Sequence, residues 1–522
     1  MLVLCSILYV VIAADRPSLF AAPTHFGFFP GWMAGPLGGL WPGLTRNGTT
    51  LRWVFTGGLI VMYGCYLAAL AFVPSLRLNA RWVVVTIVAM HLAFFLAPPL
   101  SLTDVFNYIN YGRMEVVHHL NPYTTYPILE PHSDPSYSLS NWHELLSPYG
   151  PLFTLFTFAL VPLGVAGSFW AIKTVLMVTS LGLIALVWKC AKLLGRDPVR
   201  AIMLVGLNPI VIVWGLGGDH NDFLTVFAIV LGFYLLLRSG ATRALIAAVP
   251  GRREGAGGLG GERGGAPAQA RSAQPKPGVA PAGPESSDGT RVWDAWRGPP
   301  RTLGPRAWAW LWPLSGAEIG AGAAFVAAAA LKASAGILIP IVLCALLRSP
   351  RRSVQLALGM LAAGVALGIA SLIAFGLHIP DLATQSRLVT DISIPNLIGL
   401  AIGTGGETEG LHYVLTAVLV LTVLGSCVMA WRRHDAITPA GWSTVALLVT
   451  LGWVLPWYIL WLLPLAALSR SKRLRTTALV LGAYLIVAWA PASGLIWSAI
   501  HFQPDKTPLG QLHQRYVKEL LN

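Results

Sequence analysis

Six stretches of this chain (51–73, 82–100, 168–192, 354–376, 411–431 and 474–497) are apolar over the length a helix needs to cross a membrane. That length is about 20 residues for a hydrocarbon core of about 30 Å. Shorter apolar stretches, some broken by Gly or Pro, lie at 200–218, 221–238, 318–332, 334–348, 441–455 and 457–469. In lipid the backbone must satisfy its own hydrogen bonds, so such runs fold as helices. Residues 1–14 are apolar but short and lack the basic n-region of a signal peptide, so they read as a first span. The expected fold class is an all-α polytopic membrane protein, a bundle of about 13 transmembrane helices by the window argument.

Composition points the same way. Of the residues, 55% are hydrophobic, 20 are Trp and 11% are charged, against about 25% charged in soluble domains. This excludes a soluble enzyme, a disordered protein and a nucleic-acid-binding domain. The net charge of +14 does not reverse the conclusion, because it sits in short loops and one linker. Cys5, Cys65, Cys190, Cys344 and Cys427 all lie in apolar stretches without a CxxC pair and read as small buried hydrophobes.

Lys and Arg set the orientation. Five clusters fall between spans: Arg77 and Arg81; Lys189, Lys192, Arg196 and Arg200; Arg348, Arg351 and Arg352; Arg432 and Arg433; and Arg470, Lys472, Arg473 and Arg475. All five can be cytoplasmic if residues 149–166 do not cross the membrane but lie at the interface or re-enter. The competing topology has that segment span fully and a later short segment fail to. Residues 239–306, rich in Gly, Ala, Pro and Arg from 251 onward, read as a disordered cytoplasmic linker. They divide an N-terminal transmembrane part, 1–238, from a C-terminal one, 307–497, which is followed by a tail, 498–522.

This orientation gathers four polar segments on the external face. The first is the large loop 101–148, with Asp104, Tyr108, Tyr111, Gly112, Arg113, Glu115 and Asn121-Pro122-Tyr123. The second is Gly217 to Asp222, the third is 378–410 with Arg387, Asp391 and Asn396, and the fourth is Pro456-Trp457-Tyr458. A carboxylate at a helix end near the membrane, as at Asp104, either has work to do or caps the next helix. Tyr108, Tyr111 and Glu115 recur at helical spacing after it, which fits an amphipathic helix lying on the membrane with interface aromatics, or with aromatics that stack on sugar. Asp219, His220, Asn221 and Asp222 crowd two carboxylates, an imidazole and an amide between apolar runs. A polar turn, a binding site and a divalent metal site all fit, although adjacent residues point in different directions and define no ligand set. Lys332 and Arg387 are cations that either snorkel or meet an anionic headgroup.

Taken together these motifs resemble the GT-C class of polyprenol-phosphate-sugar-dependent glycosyltransferases, and within it the actinobacterial α-1,6-mannosyltransferases of lipomannan. The resemblance rests on Asp104 with Tyr108 and Gly112, Asn121-Pro122-Tyr123, Tyr149-Gly150-Pro151, His220-Asn221-Asp222, Leu331-Lys332-Ala333-Ser334, Pro456-Trp457-Tyr458 and Trp461-Leu462-Leu463-Pro464. It spans roughly residues 82–470 without the linker, which departs from the family pattern, as does the short first span. It implies a GT-C-like bundle whose first large external loop carries amphipathic helices. It also implies a polyprenyl-phosphate sugar donor, a glycolipid or polysaccharide acceptor, and no nucleic acid partner. Asp104 resembles the family's catalytic aspartate. Tyr108, Arg113, Asn121, His220, Asn221, Asp222, Lys332, Arg387, Trp457 and Tyr458 are the substrate-binding candidates, with Lys332 and Arg387 toward phosphate. A phosphate leaving group needs cations rather than a general acid, and the acceptor hydroxyl needs one base, so no cofactor is required. Two other readings stay open. One is a transferase for a different polyprenyl-phosphate sugar, such as arabinofuranose or glucose. The other is a lipid or sugar transporter without chemistry, which would carry ionisable groups in mid-span.

Overall fold

The computed structural model describes residues 1–14, 47–76, 79–100, 104–248, 315–502 and 507–521. These residues are helical, with no strand among them. Five helices are long and apolar enough to cross a membrane: Gly48–Phe72, Pro151–Leu193, Asp222–Gly240, Pro350–Phe375 and Glu409–Arg433. A sixth span exists if Lys472–Trp489 and Ser493–Ala499, bent by 68° at their junction, count as one. Six shorter apolar helices complete the bundle: Leu2–Ala14, Ala80–Phe95, Gly316–Leu331, Ala333–Leu346, Ile437–Thr450 and Pro456–Leu468. The windows expected at 200–218, 318–332, 334–348 and 457–469 therefore all fold as helix, in shorter pieces than 20 residues.

The outer helices present apolar side chains where a soluble protein would present charge. Along Pro350–Phe375, Leu361, Val365, Ile369 and Ile373 form an exposed stripe, with Ile373 81% exposed. Glu409–Arg433 does the same through Val414, Val418, Leu421 and Leu424. Contiguous apolar surface on this scale is stable only against lipid, and the protein is a multi-pass membrane protein.

Ten elements position the site. They are α1 (Ala80–Phe95), α2 (Asp104–His118), α3 (Pro151–Leu160), α4 (Gly164–Leu193), a π-helical turn (Val211–Leu216), α5 (Asp222–Ala248), α6 (Gly316–Leu331), α7 (Leu382–Ser386), α8 (Ile437–Thr450) and α9 (Ile459–Leu468). The bundle has two chemically distinct ends. At one, Glu318 at the start of α6 accepts from Arg352 Nε at 2.9 Å and from Ser239 Oγ of α5 at 2.8 Å. Arg475 Nη1 reaches Ser469 O past the end of α9 at 2.9 Å, and Arg348 meets His434 at 3.1 Å. At the other, Lys332 beyond α6 pairs with Asp222 at the start of α5. Arg348, Arg352 and Arg475 thus gather opposite the end that holds Asp222 and Lys332, and Arg196 lies close enough to Arg470 and Arg475 to feel their charge.

Residues 149–166 begin and finish at that second end. Gly150 N donates to Leu331 O at 3.1 Å. A Cβ on Gly150 would stand 2.1 Å from Ala330 O, so only glycine allows the approach. On the far side of the segment, Lys173 of α4 reaches Ala97 O at 3.0 Å, just beyond α1. Between them α3 has ten residues, about 15 Å and half a hydrocarbon core. The chain then turns through Val161–Leu163 and Gly164 at φ 69°.

Two expectations change. α5 continues to Ala248, past the point where the linker was expected to begin, and residues 249–314 lie outside the described residues. The helix after Asp104 forms, but its first nine residues face protein on every side. Asp104 to Gly112 are all buried, because α3 and α4 cover it on both sides. Tyr108 and Tyr111 are therefore interior groups and not interface anchors.

Candidate active site

α2 sets the phase of the first wall. At about 100° per residue, Tyr108 and Tyr111 fall on the same face as Asp104, and all three line one cavity. Arg113, nine residues on, falls about half a turn away. It stands outside the cavity, where Nε and Nη2 grip Asp134 at 2.8–3.1 Å alongside His118. That bidentate pair braces the loop between α2 and α3, and Arg113 does not line the cavity expected for it. Asn121 is likewise structural. Its Nδ2 donates to Phe375 O at 3.0 Å and its Oδ1 accepts from Tyr123 N.

The cavity measures about 270 Å³. Asp104, Tyr108, Tyr111, Trp142 and Tyr149 line it together with His220, Asn221 and Asp222. Lys332, Trp457, Tyr458 and Trp461 also line it, as do Leu382, Gln385, Ser386 and Leu388 in and beside α7. Arg387 is exposed at the end of α7 and is absent from the lining. Its neighbours Gln385, Ser386 and Leu388 face the cavity in its place.

The turn that carries His220 is built for its position. A π-helical turn, a form enriched at functional sites, ends at Leu216 and delivers Gly217 and Gly218. A Cβ on Gly218 would lie 2.5 Å from Trp214 O and 2.6 Å from His220 Nε2. Stacked at 3.5 Å on Trp457 with the ring planes 10° apart, the imidazole has little freedom to rotate. Nδ1 stands 3.2 Å from Asp104 Oδ2, within ion-pair range but not aligned as a hydrogen bond, and Nε2 has no hydrogen-bond partner among the described residues.

Asp104 also accepts from Trp142 Nε1 at 3.1 Å. Burial opposes its ionised form. The His220 contact, the Trp142 indole and the Lys332 charge outweigh that and hold the carboxyl below its usual range. A buried carboxylate kept ionised beside a cavity is poised to accept a proton.

Lys332 Nζ donates to Asp222 Oδ1 at 2.7 Å, and Trp461 Nε1 donates to the same oxygen at 2.6 Å. The ammonium sits 4.5 Å above the Tyr458 ring and 4.8 Å above that of Trp461, a cation–π cage. Asp222 is its one hydrogen-bond partner among the described residues, which leaves N–H donors for an anion in the cavity. Among the described residues no group of three or more His, Cys, Asp and Glu side chains is arranged to hold a metal ion.

Eight of the eleven residues singled out in the sequence thus line one cavity: Asp104, Tyr108, His220, Asn221, Asp222, Lys332, Trp457 and Tyr458. Trp142 and Trp453 were missed. The loop between α2 and α3 has no helical period to place Trp142, and Trp453 looked like the end of a span.

A helical membrane bundle with an ionised carboxylate and a caged ammonium facing one cavity defines a polytopic membrane enzyme. Comparison with known proteins gives the family. The model of the alpha-(1->6)-mannopyranosyltransferase N-terminal domain matches residues 20–252, and that of the MptB C-terminal domain matches residues 393–502. The chain belongs to this family of glycosyltransferases. It is 28% identical over 427 residues to an alpha-(1->6)-mannopyranosyltransferase of Mycobacterium tuberculosis, covering 74% of this chain and 66% of that protein. Alpha-(1->6)-mannopyranosyltransferase A of the same organism is 24% identical over 428 residues, 78% of this chain and 69% of that protein. The protein of that name from Corynebacterium glutamicum is 24% identical over 156 residues, 29% of this chain and 32% of that protein. No solved structure matches the chain.

Proposed function

We propose that the protein transfers a mannosyl unit from a polyprenyl phosphate to a hydroxyl of a glycolipid or mannan acceptor, forming an α-1,6 linkage with inversion. The observation that carries this is one cavity lined by both groups. Asp104 faces it beside His220, and Lys332 faces it within its aromatic cage.

The acceptor oxygen attacks the anomeric carbon while Asp104 takes its proton. The bond from that carbon to the phosphate oxygen breaks, and the phosphate leaves with the electron pair. Lys332 meets the charge that develops there, in a cavity walled by rings where such a contact is worth more than in water. One displacement converts a β-linked donor into an α-linked product, and it needs one carboxylate rather than the pair of a glycosidase. Asn221, Asp222, Tyr108 and Tyr458 are placed to contact sugar hydroxyls or ring faces, and Arg387 at the rim is available to the donor phosphate as it enters.

The external face is supported by the gathering of Arg196, Arg348, Arg352, Arg470 and Arg475 at the opposite end, which the positive-inside rule assigns to the cytoplasm. The test is transfer of radiolabel from polyprenyl-phosphate mannose in membranes that carry the protein, followed by linkage analysis of the product. Label in an α-1,6-linked product supports the reading. Transfer from another polyprenyl-phosphate sugar alone would replace the donor. No transfer from any such sugar would remove the reading.

A further inference from the structure

Lys173 lies on α4 between the buried Ile172 and Leu176 and is itself 1% exposed, a costly place for an ammonium. Its Nζ lies 3.2 and 3.1 Å from the two carboxylate oxygens of Asp219, and 3.2 and 3.0 Å from the carbonyls of Phe94 and Ala97. Asp219 is as buried as its partner and sits at φ 56°, a left-handed backbone that a non-glycine residue rarely adopts. Next to this cluster, Leu100 N donates to Gly217 O at 2.7 Å. Neither Lys173 nor Asp219 lines the cavity.

One ammonium therefore ties together three segments that the sequence holds far apart. The carbonyls of Phe94 and Ala97 close α1, whose chain leads to Asp104. Asp219 opens the turn that carries His220, Asn221 and Asp222. α4 supplies the ammonium from below.

We propose that the Lys173–Asp219 pair is a positioning device for glycosyl transfer, fixing the distance between Asp104 and the His220–Asp222 turn. It rests on the transferase reading above. Proton acceptance by Asp104 depends on that distance, since the imidazole of His220 stands against the carboxylate. The same ammonium holds both the approach to Asp104, through the carbonyls of Phe94 and Ala97, and the carboxylate of the residue before His220.

The test compares wild type, the double variant Lys173→Met with Asp219→Asn, and Lys173→Arg, purified in detergent. The double variant removes both charges and leaves neither buried alone, so it separates folding from positioning. Its expected behaviour is a monodisperse protein whose kcat for polyprenyl-phosphate mannose falls about tenfold or more, while the donor KM changes by less than about twofold, as misplacement of a reacting group predicts. Hydrogen exchange of the segment 217–222 should rise at the same time, a reading that needs no sugar donor. Wild-type kcat and unchanged exchange in the folded double variant would overturn the proposal. Should the double variant fail to fold, Lys173→Arg decides. A folded protein with lowered kcat and raised exchange at 217–222 supports positioning, and wild-type values overturn it. Should wild type itself transfer no sugar, the transferase reading falls, and exchange alone decides whether the pair orders the turn.

Discussion

The indole of Trp142 donates to Asp104 Oδ1 at 3.1 Å, from a loop residue 38 positions further along the chain. The loop that follows α2 thus does more than cover the bundle. It reaches back to the carboxylate that its own first helix presents.

This contact has a measurable consequence. The Trp142 hydrogen bond is one of the interactions that hold Asp104 below the usual carboxylate range. The ionised form is the base, so activity falls as pH drops through its pKa. Trp142→Phe removes a donor to the ionised form and raises that pKa. The acidic limb of kcat/KM should move to higher pH by about half to one unit, the worth of one net hydrogen bond. A pH–rate profile of the two proteins checks it.

Gly218 offers a test that leaves every polar group in place. A methyl there would stand 2.5 Å from Trp214 O and 2.6 Å from His220 Nε2. Gly218→Ala should push the imidazole off Trp457 and away from Asp104. The expected result is about a 10- to 100-fold loss of kcat, with a smaller effect on the yield of folded protein, read by steady-state transfer and size-exclusion chromatography.

Lys332 is held by Asp222 and by the rings of Tyr458 and Trp461. Lys332→Met keeps the stem and removes the charge. It should lower kcat by about 10²-fold or more, the usual scale for a lost donor at a developing anion. Lys332→Arg should recover only part of this, because a planar guanidinium does not fit the place of a point ammonium. Kinetics with a phosphate-linked donor measures both.

Glu130 gives a stability prediction distinct from catalysis. Burial pushes its carboxyl up to about 7, although Asn110 donates to it and so favours the ionised form. The folded state therefore binds the proton more tightly than the unfolded chain does. The stability this contributes is fully present below the unfolded value near 4.5 and is lost as pH rises through about 7. Glu130→Gln removes that dependence. The Tm of the variant should match wild type at pH 4.5 and exceed it by several degrees at pH 8, measured by thermal unfolding in detergent.

The helices were legible in the sequence because length and apolarity alone make a span. The segment 149–166 was legible only as an apolar stretch; its short helix Pro151–Leu160 and the turn at Gly164 were not. Asp104, His220 to Asp222 and Lys332 were legible as polar groups beside apolar runs, where they are costly without a partner. Arg113 could have been set aside from the sequence, since nine residues along a helix turn it away from Asp104. Trp142 and the inward burial of Tyr108 and Tyr111 depend on how an irregular loop folds over α2, and no periodicity encodes that path. Lys173 carried a signal that went unread: a lone ammonium inside an apolar run needs a partner, and Asp219 is that partner.

The central claim concerns the Asp104 carboxylate, and Asp104→Asn tests it with almost no change in shape. Transfer of radiolabelled mannose from its polyprenyl phosphate should be abolished in the variant at a membrane level of protein equal to wild type. Transfer at the wild-type rate by Asp104→Asn would contradict the account.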